Sequence, residues 1–261
     1  MILKHGKVFL DGNYVEKEIL VVDGIITEIA DQISKEDEVI DCSGLKILPG
    51  FFDIHTHGCL SYDFSKSQPE EIKEMCEYYA KHGVTSILAT TMTNEDHQYH
   101  HAMEYLKVVM DAQKEHPSKE SAIVGINMEG PFFGLEKKGA HDPQYLRGIS
   151  QDLFEDYNKL SGEAIRLVDI DPTLPGALEF IKENKERFTI SLAHTACTFE
   201  QAREAVEAGA THVTHLFNAM RPLQHREPGL VGAVSAFGLN AEIICDGIHI
   251  HPAVIELMFK A

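Results

Sequence analysis

Two histidines one residue apart, His55 and His57, close the run Phe51-Phe52-Asp53-Ile54-His55-Thr56-His57-Gly58. In an extended backbone residues i and i+2 project to the same side, so both imidazoles can reach one point while Thr56 faces away. That is a geometry for holding a metal ion, although a chain with 15 histidines produces such pairs by chance. Later segments add to it. Glu129 follows the apolar run 122–128, His194 ends the run 189–194, and His215 lies within 212–217. Taken singly, Glu129 reads as a capping or ion-paired carboxylate and each histidine as an ordinary hydrogen-bonded one. As a set at several strand ends, a metal centre is the better account. A carboxylate with several imidazoles suits zinc, iron or manganese. Such an ion lowers the pKa of bound water from about 16 toward 7 and polarises the bond under attack.

These residues need a scaffold, and from Pro49 onward strand-prone and helix-prone segments alternate. Strands are expected at 51–57, 84–90, 122–128, 165–170, 189–194, 212–217 and 241–246. The first helix is expected to begin at Ser67, with Glu70 three residues later as its capping partner, and to stop at Gly83. Others are expected from 93 to Glu115 before Pro117, at 175–184, from Thr198 with Gln201 to just before Gly209, and from His251-Pro252 to Ala261. Residues 132–147 read as a loop or lid, with a short helix after it. Apolar strands separated by helices argue for a parallel sheet covered by helices. Polar residues at the strand C-terminal ends argue for an α/β fold of the (β/α)8 TIM-like barrel type. An open doubly wound sheet is the second choice, disfavoured because no Gly-rich phosphate loop follows an early strand. Strand eight is lacking, and the expectation is a chain truncated at its C-terminus.

Residues 1–48 are built differently. Short β-prone runs at 7–10, 18–22, 25–29, 39–42 and 46–48 are separated by turn signals such as Asp11-Gly12-Asn13 and Asp23-Gly24. This predicts a small antiparallel β domain of sandwich type over 1–48 and an incomplete barrel over 49–261.

Composition narrows the function classes. With 41 acidic against 23 basic residues the formal charge is −18, which disfavours non-specific binding to nucleic acid or anionic membranes. A local patch can still receive an anionic small molecule. There is no apolar run long enough to span a membrane and no secretory pattern at the start. Five widely spaced cysteines without a CxxC pair point to a reduced, cytoplasmic setting. An anionic substrate would sit among Asn218-Ala219-Met220-Arg221, His225-Arg226-Glu227-Pro228-Gly229 and Gly247-Ile248-His249, because arginine grips phosphate through several donors. Residues 226–229 read equally as a charged turn. Asp246 is placed for proton transfer and equally for turn formation.

The segments 49–58, Asn127-Met128-Glu129-Gly130-Pro131-Phe132, His194-Thr195, 214–220, 226–229 and 246–249 resemble the N-acetylglucosamine-6-phosphate deacetylases of the amidohydrolase superfamily, across essentially the whole chain. The resemblance implies hydrolysis of N-acetyl-D-glucosamine 6-phosphate to glucosamine 6-phosphate and acetate. Under it Glu129, His194 and His215 match the principal metal ligands. His55 and His57 match the pair that holds a second ion where both are kept, so one or two divalent ions per subunit are implied. His141 and His249 match substrate-contacting positions, and Asn218 and Ala219 line the sugar-phosphate site. Arg226 matches an arginine offered to the neighbouring subunit's phosphate, which implies a homodimer. The family's proton-transfer aspartate lies in strand eight, beyond Ala261; Asp246 does not match it, and the catalytic residue is unassigned. Weak metal binding and poor deacetylation by a 261-residue form are expected. An amidohydrolase with a carbamylated lysine fits less well, because residues 169–172 supply no lysine after the fourth strand. A non-catalytic sugar-phosphate binding or regulatory protein is the alternative from another class.

Overall fold

The computed structural model describes residues 1–116 and 119–260. Helix ends expected at Pro117 and Ala261 touch residues outside that set. The chain forms two compact units, Met1–Phe51 and Phe52–Ala261.

The first unit contains β1 (Ile2–Lys4), β2 (Lys7–Leu10), β3 (Asn13–Glu16), β4 (Glu18–Val22), β5 (Ile25–Ala30), β6 (Val39–Asp41) and β7 (Lys46–Ile47). They form two sheets, ordered β5-β4-β1-β6 and β3-β2-β7. The hairpins β2–β3 and β4–β5 are antiparallel, and Asp11-Gly12 turns the first with both residues at positive φ, 48° and 79°, as a two-residue primed turn requires. The unit is not wholly antiparallel, which corrects the expectation. β6 pairs parallel to β1 and β7 parallel to β2, because the connection from β5 carries the chain across before it re-enters, where a tight turn would have reversed it. Ile2, Leu20 and Ile33 form its core.

The second unit opens with β8 (Phe51–Thr56), then α1 (Pro69–Lys81), β9 (Val84–Thr91), α2 (Asp96–Glu115), β10 (Ala122–Glu129), a 3-10 turn (Pro143–Tyr145), α3 (Gln151–Leu160), β11 (Ile165–Ile170), α4 (Ala177–Asn184), β12 (Thr189–Leu192), α5 (Phe199–Ala208), β13 (His212–Val213), α6 (Gly229–Phe237), β14 (Asn240–Ala241) and α7 (Pro252–Lys260). The seven strands form one sheet in chain order from β8 to β14, with parallel pairing from β9 onward. The sheet is a curled, incomplete barrel, one strand short of eight. One large apolar cluster that includes Phe64, Tyr99, Phe132, Phe154, Tyr157 and Phe180 packs the helices onto it. Among the described residues no helix is long and apolar enough to cross a membrane.

Three local differences have clear causes. Pro69 occupies the first helical position of α1, which suits its missing N–H and moves the cap to Gln68, whose amide donates to Glu71 Oε2 at 2.9 Å. Ser67 instead accepts from the Asp63 amide. The α6 helix stands where no helix was expected, because its glycines and valines argue against one and its burial overrides them. The last three strands stop early, at Leu192, Val213 and Ala241. Beyond the first two of them the backbone swings to positive φ at His194 (45°), His215 (33°), Phe217 (78°) and Ala219 (51°), and a ladder cannot continue through that conformation.

Candidate metal centre

Glu129 is the last residue of β10 and its carboxylate is 3% exposed. His194, two residues past β12, brings Nε2 to 2.8 Å from Oε1. His215, two residues past β13, brings Nε2 to 3.1 Å from the same oxygen. His141, from the loop after β10, lies 3.7 Å away. On the other side, His57 and His55 place Nε2 at 2.9 Å and 3.5 Å from Oε2. Five imidazoles from four segments therefore face one buried carboxylate. They form two groups able to hold a divalent ion, His55/His57/Glu129 and Glu129/His141/His194, so one or two sites per subunit are available. His215 belongs with the second group by distance, since its Nε2 is 3.0 Å from that of His194.

The donor set fits such an ion. Two imidazole nitrogens at 3.0 Å need a shared proton or a cation between their lone pairs. Glu129 Oε2 has no hydrogen-bond partner among the described residues, although His57 approaches it, and a buried bare carboxylate oxygen is costly. Oxygen and imidazole nitrogen together suit a borderline divalent metal. In the metal-free state a proton on His55 supplies positive charge. Burial opposes charge on His55, but Glu129 and Glu242 flank the ring and lift it to about 11. Burial likewise opposes charge on Glu129, yet His141, His194, His215 and His55 hold it well below the usual carboxylate range. Burial prevails at His141, which is pushed down despite Glu129.

The centre lies in a cleft of about 1310 Å³ at the C-terminal ends of the strands. His55, His57, Glu129, His141, His194, His215, Asn218, Ala219 and His249 all line it. Arg226 does not. It is exposed, and its guanidinium donates to His225 Nε2 at 2.8 Å. Asp246 lines the cleft and also makes a turn: it accepts from the amides of His249 and Ile248, which with the His249 ring hold its carboxyl down to about 2.

Two acidic residues near the centre had no sequence signal. Glu242, just past β14, reaches His55 and His212. Asp169, on β11, has no exposed surface; Thr214 donates to its Oδ1 at 2.6 Å and Oδ2 has no partner among the described residues. Burial, then the charges of Glu129 and Glu242, push its carboxyl well above the usual range. An acid whose folded pKa exceeds its unfolded value, about 3.9, favours folding most below that value and loses the contribution as pH rises toward the folded pKa. Asp169→Asn keeps the acceptor and cannot ionise. In chelator-treated protein it is expected to gain stability on the wild type as pH rises from about 4 to about 8. Urea midpoints across that range check this, and a constant difference between the two proteins would contradict it.

Comparison with known proteins agrees with this geometry. Residues 47–261 match the amidohydrolase family. The chain is 36% identical over 240 residues to N-acetylglucosamine-6-phosphate deacetylase of Danio rerio, covering 86% of this chain and 57% of that protein. It is 31% identical over 251 residues to N-acetylgalactosamine-6-phosphate deacetylase of Escherichia coli O157:H7, covering 93% and 63%. The chain thus spans about three fifths of the length of these curated relatives. A solved structure of mutant N-acetyl-D-glucosamine-6-phosphate deacetylase from Mycobacterium smegmatis, in complex with N-acetyl-D-glucosamine-6-phosphate, superposes with a TM-score of 0.89 at 27% identity, covering 100% of this chain and 67% of that one. With a match that takes in every strand of the curled sheet and every residue around Glu129, the chain belongs to the amidohydrolase family, as a homologue of the N-acetylglucosamine-6-phosphate deacetylases.

Proposed function

We propose that this cleft serves metal-dependent hydrolysis of the acetamido group of N-acetyl-D-glucosamine 6-phosphate, giving glucosamine 6-phosphate and acetate. The observation that carries the reading is the convergence of five imidazoles on the buried carboxylate of Glu129. Glu129, His194 and His215 would hold one divalent ion, zinc, iron or manganese, and His55 with His57 would hold a second beside the same carboxylate. Such an ion, when bound, supplies an ionised water and a polarised amide carbonyl.

The chain's own residues do the rest. The hydroxyl of Thr93 lies 2.7 Å from His141 Nδ1 and its amide donates to the same nitrogen. That leaves the proton of the neutral ring on Nε2, aimed into the cleft as a donor for the substrate carbonyl oxygen. Asn218, Ala219 and His249 line the part of the cleft that takes the sugar phosphate. Arg226, exposed and outside the lining of its own cleft, suits the phosphate of a neighbouring subunit in a homodimer. The E. coli relative favours a second reading, the galactosamine epimer of the same substrate.

Acetate release from both epimers, with each metal added in turn to chelator-treated protein of confirmed intact mass, tests the proposal. The expected result is metal-dependent release with the glucosamine substrate preferred. Release from neither epimer under any metal would sink it, and preference for the galactosamine substrate would favour the second reading.

A further inference from the structure

Glu242 lies in the first position after β14, where both its N–H and its C=O are tied to the neighbouring segment 213–216. Its amide donates to Val213 O at 2.9 Å, and its carbonyl accepts from Leu216 N at 2.8 Å. The side chain is therefore held inside the curled sheet, 12% exposed. Its carboxylate is shared among nitrogen donors: Oε2 lies 2.6 Å from His55 Nδ1 and 3.4 Å from the His215 amide, and Oε1 lies 3.1 Å from His212 Nε2. Both oxygens are engaged, so Glu242 acts on the centre through His55.

We infer that Glu242, steadied by His212, is a positioning residue that keeps a proton on His55 Nδ1 so that an arriving ion displaces only the one on Nε2, and that this makes the His55/His57 pair a second ion's site. The inference rests on the metal-centre reading. An imidazole has two nitrogens and can offer a metal only the one without a proton. A carboxylate accepting from Nδ1 selects the tautomer, holds the ring plane and makes the remaining nitrogen more basic. In this structure that nitrogen is the one 3.4 Å from His57 Nε2 and 3.5 Å from Glu129 Oε2. The first ion's ligands do not depend on Glu242 in this way: the His194 ring is oriented by the Lys137 carbonyl, 2.9 Å from its Nδ1, and His215 meets Glu242 only through its backbone amide, at 3.4 Å. Loss of Glu242 therefore falls on one site.

Equilibrium dialysis of the whole chain against chelator-buffered zinc, with elemental analysis, measures both affinities in the wild type, Glu242→Leu and Glu242→Gln, alongside circular dichroism melts. The wild type is expected to hold two ions. Glu242→Leu is expected to weaken the second by about 10- to 100-fold and leave the first unchanged. Glu242→Gln, which keeps an acceptor for Nδ1–H, should weaken it less. An unchanged second affinity in Glu242→Leu, equal weakening of both ions, or a wild type holding one ion overturns the inference. A wild type that takes up no ion overturns the metal-centre reading beneath it. Nitrogen-15 NMR of histidine-labelled, zinc-loaded wild type gives an answer that needs no variant to fold: the proton of His55 is expected on Nδ1, and its assignment to Nε2 would overturn the inference.

Discussion

Glu129→Gln is expected to remove zinc uptake at both groups and to lower acetate release by about a thousandfold or more. Each group uses the same carboxylate, and among the described residues neither group includes a second carboxylate to take its place. An ion is worth several kcal/mol of transition-state stabilisation, and at about 1.36 kcal/mol per tenfold its loss accounts for a factor of that order. The metal-free protein should suffer as well. Glu129 is the counter-charge for the histidines around it, and breaking a buried pair costs about 3–5 kcal/mol. The low end, about 3 kcal/mol, is expected, because Glu242 remains beside His55. Zinc content by elemental analysis and urea midpoints measure the two effects. Zinc held as tightly as in the wild type would remove Glu129 from the centre.

Gly58→Ala is expected to destabilise the second unit by about 3 kcal/mol or more, the joint cost of a strained backbone and an overpacked site. Gly58 has φ of 137°, and a Cβ there would meet the backbone carbonyl of Tyr62 at 2.3 Å and Met75 Sδ at 2.9 Å. A carbonyl cannot swing aside as a side chain can. Here the loop is also tied down, by Tyr62 N to Cys59 O and Phe64 N to His57 O, each 2.9 Å. His57 adjoins this position and is tied to the same loop through its carbonyl, so zinc at the second group should weaken together with the fold. A loss in the urea midpoint below about 1 kcal/mol would show that residues 58–63 yield more easily than these bonds suggest.

The barrel was legible because its signals are local. Apolar runs such as 165–170 are strands from end to end, and Thr198 with Gln201 caps α5 with a reciprocal box. The centre was legible because histidine and glutamate are conspicuous when they recur after apolar runs. What stayed hidden depends on distant partners or on the backbone. Glu242 looks like one polar residue in an extended segment, and its partners His55 and His212 lie 187 and 30 residues away. Residues 214–217 look like strand by composition, yet the chain turns there to aim His215. The parallel pairing of β6 and β7 could not be read either, since strand direction is set by the path between strands and leaves no mark within them.

The left-handed backbone at His194 and His215 bears on how this protein would respond to selection. Such conformations cost a side-chain-bearing residue on the order of 1–3 kcal/mol each, and asparagine or glycine would tolerate them better. Laboratory evolution that rewards heat resistance alone should therefore erase these two histidines early, yielding a hardier and inert barrel. Ion-loaded selection should keep them, because there the same strain is offset by coordination.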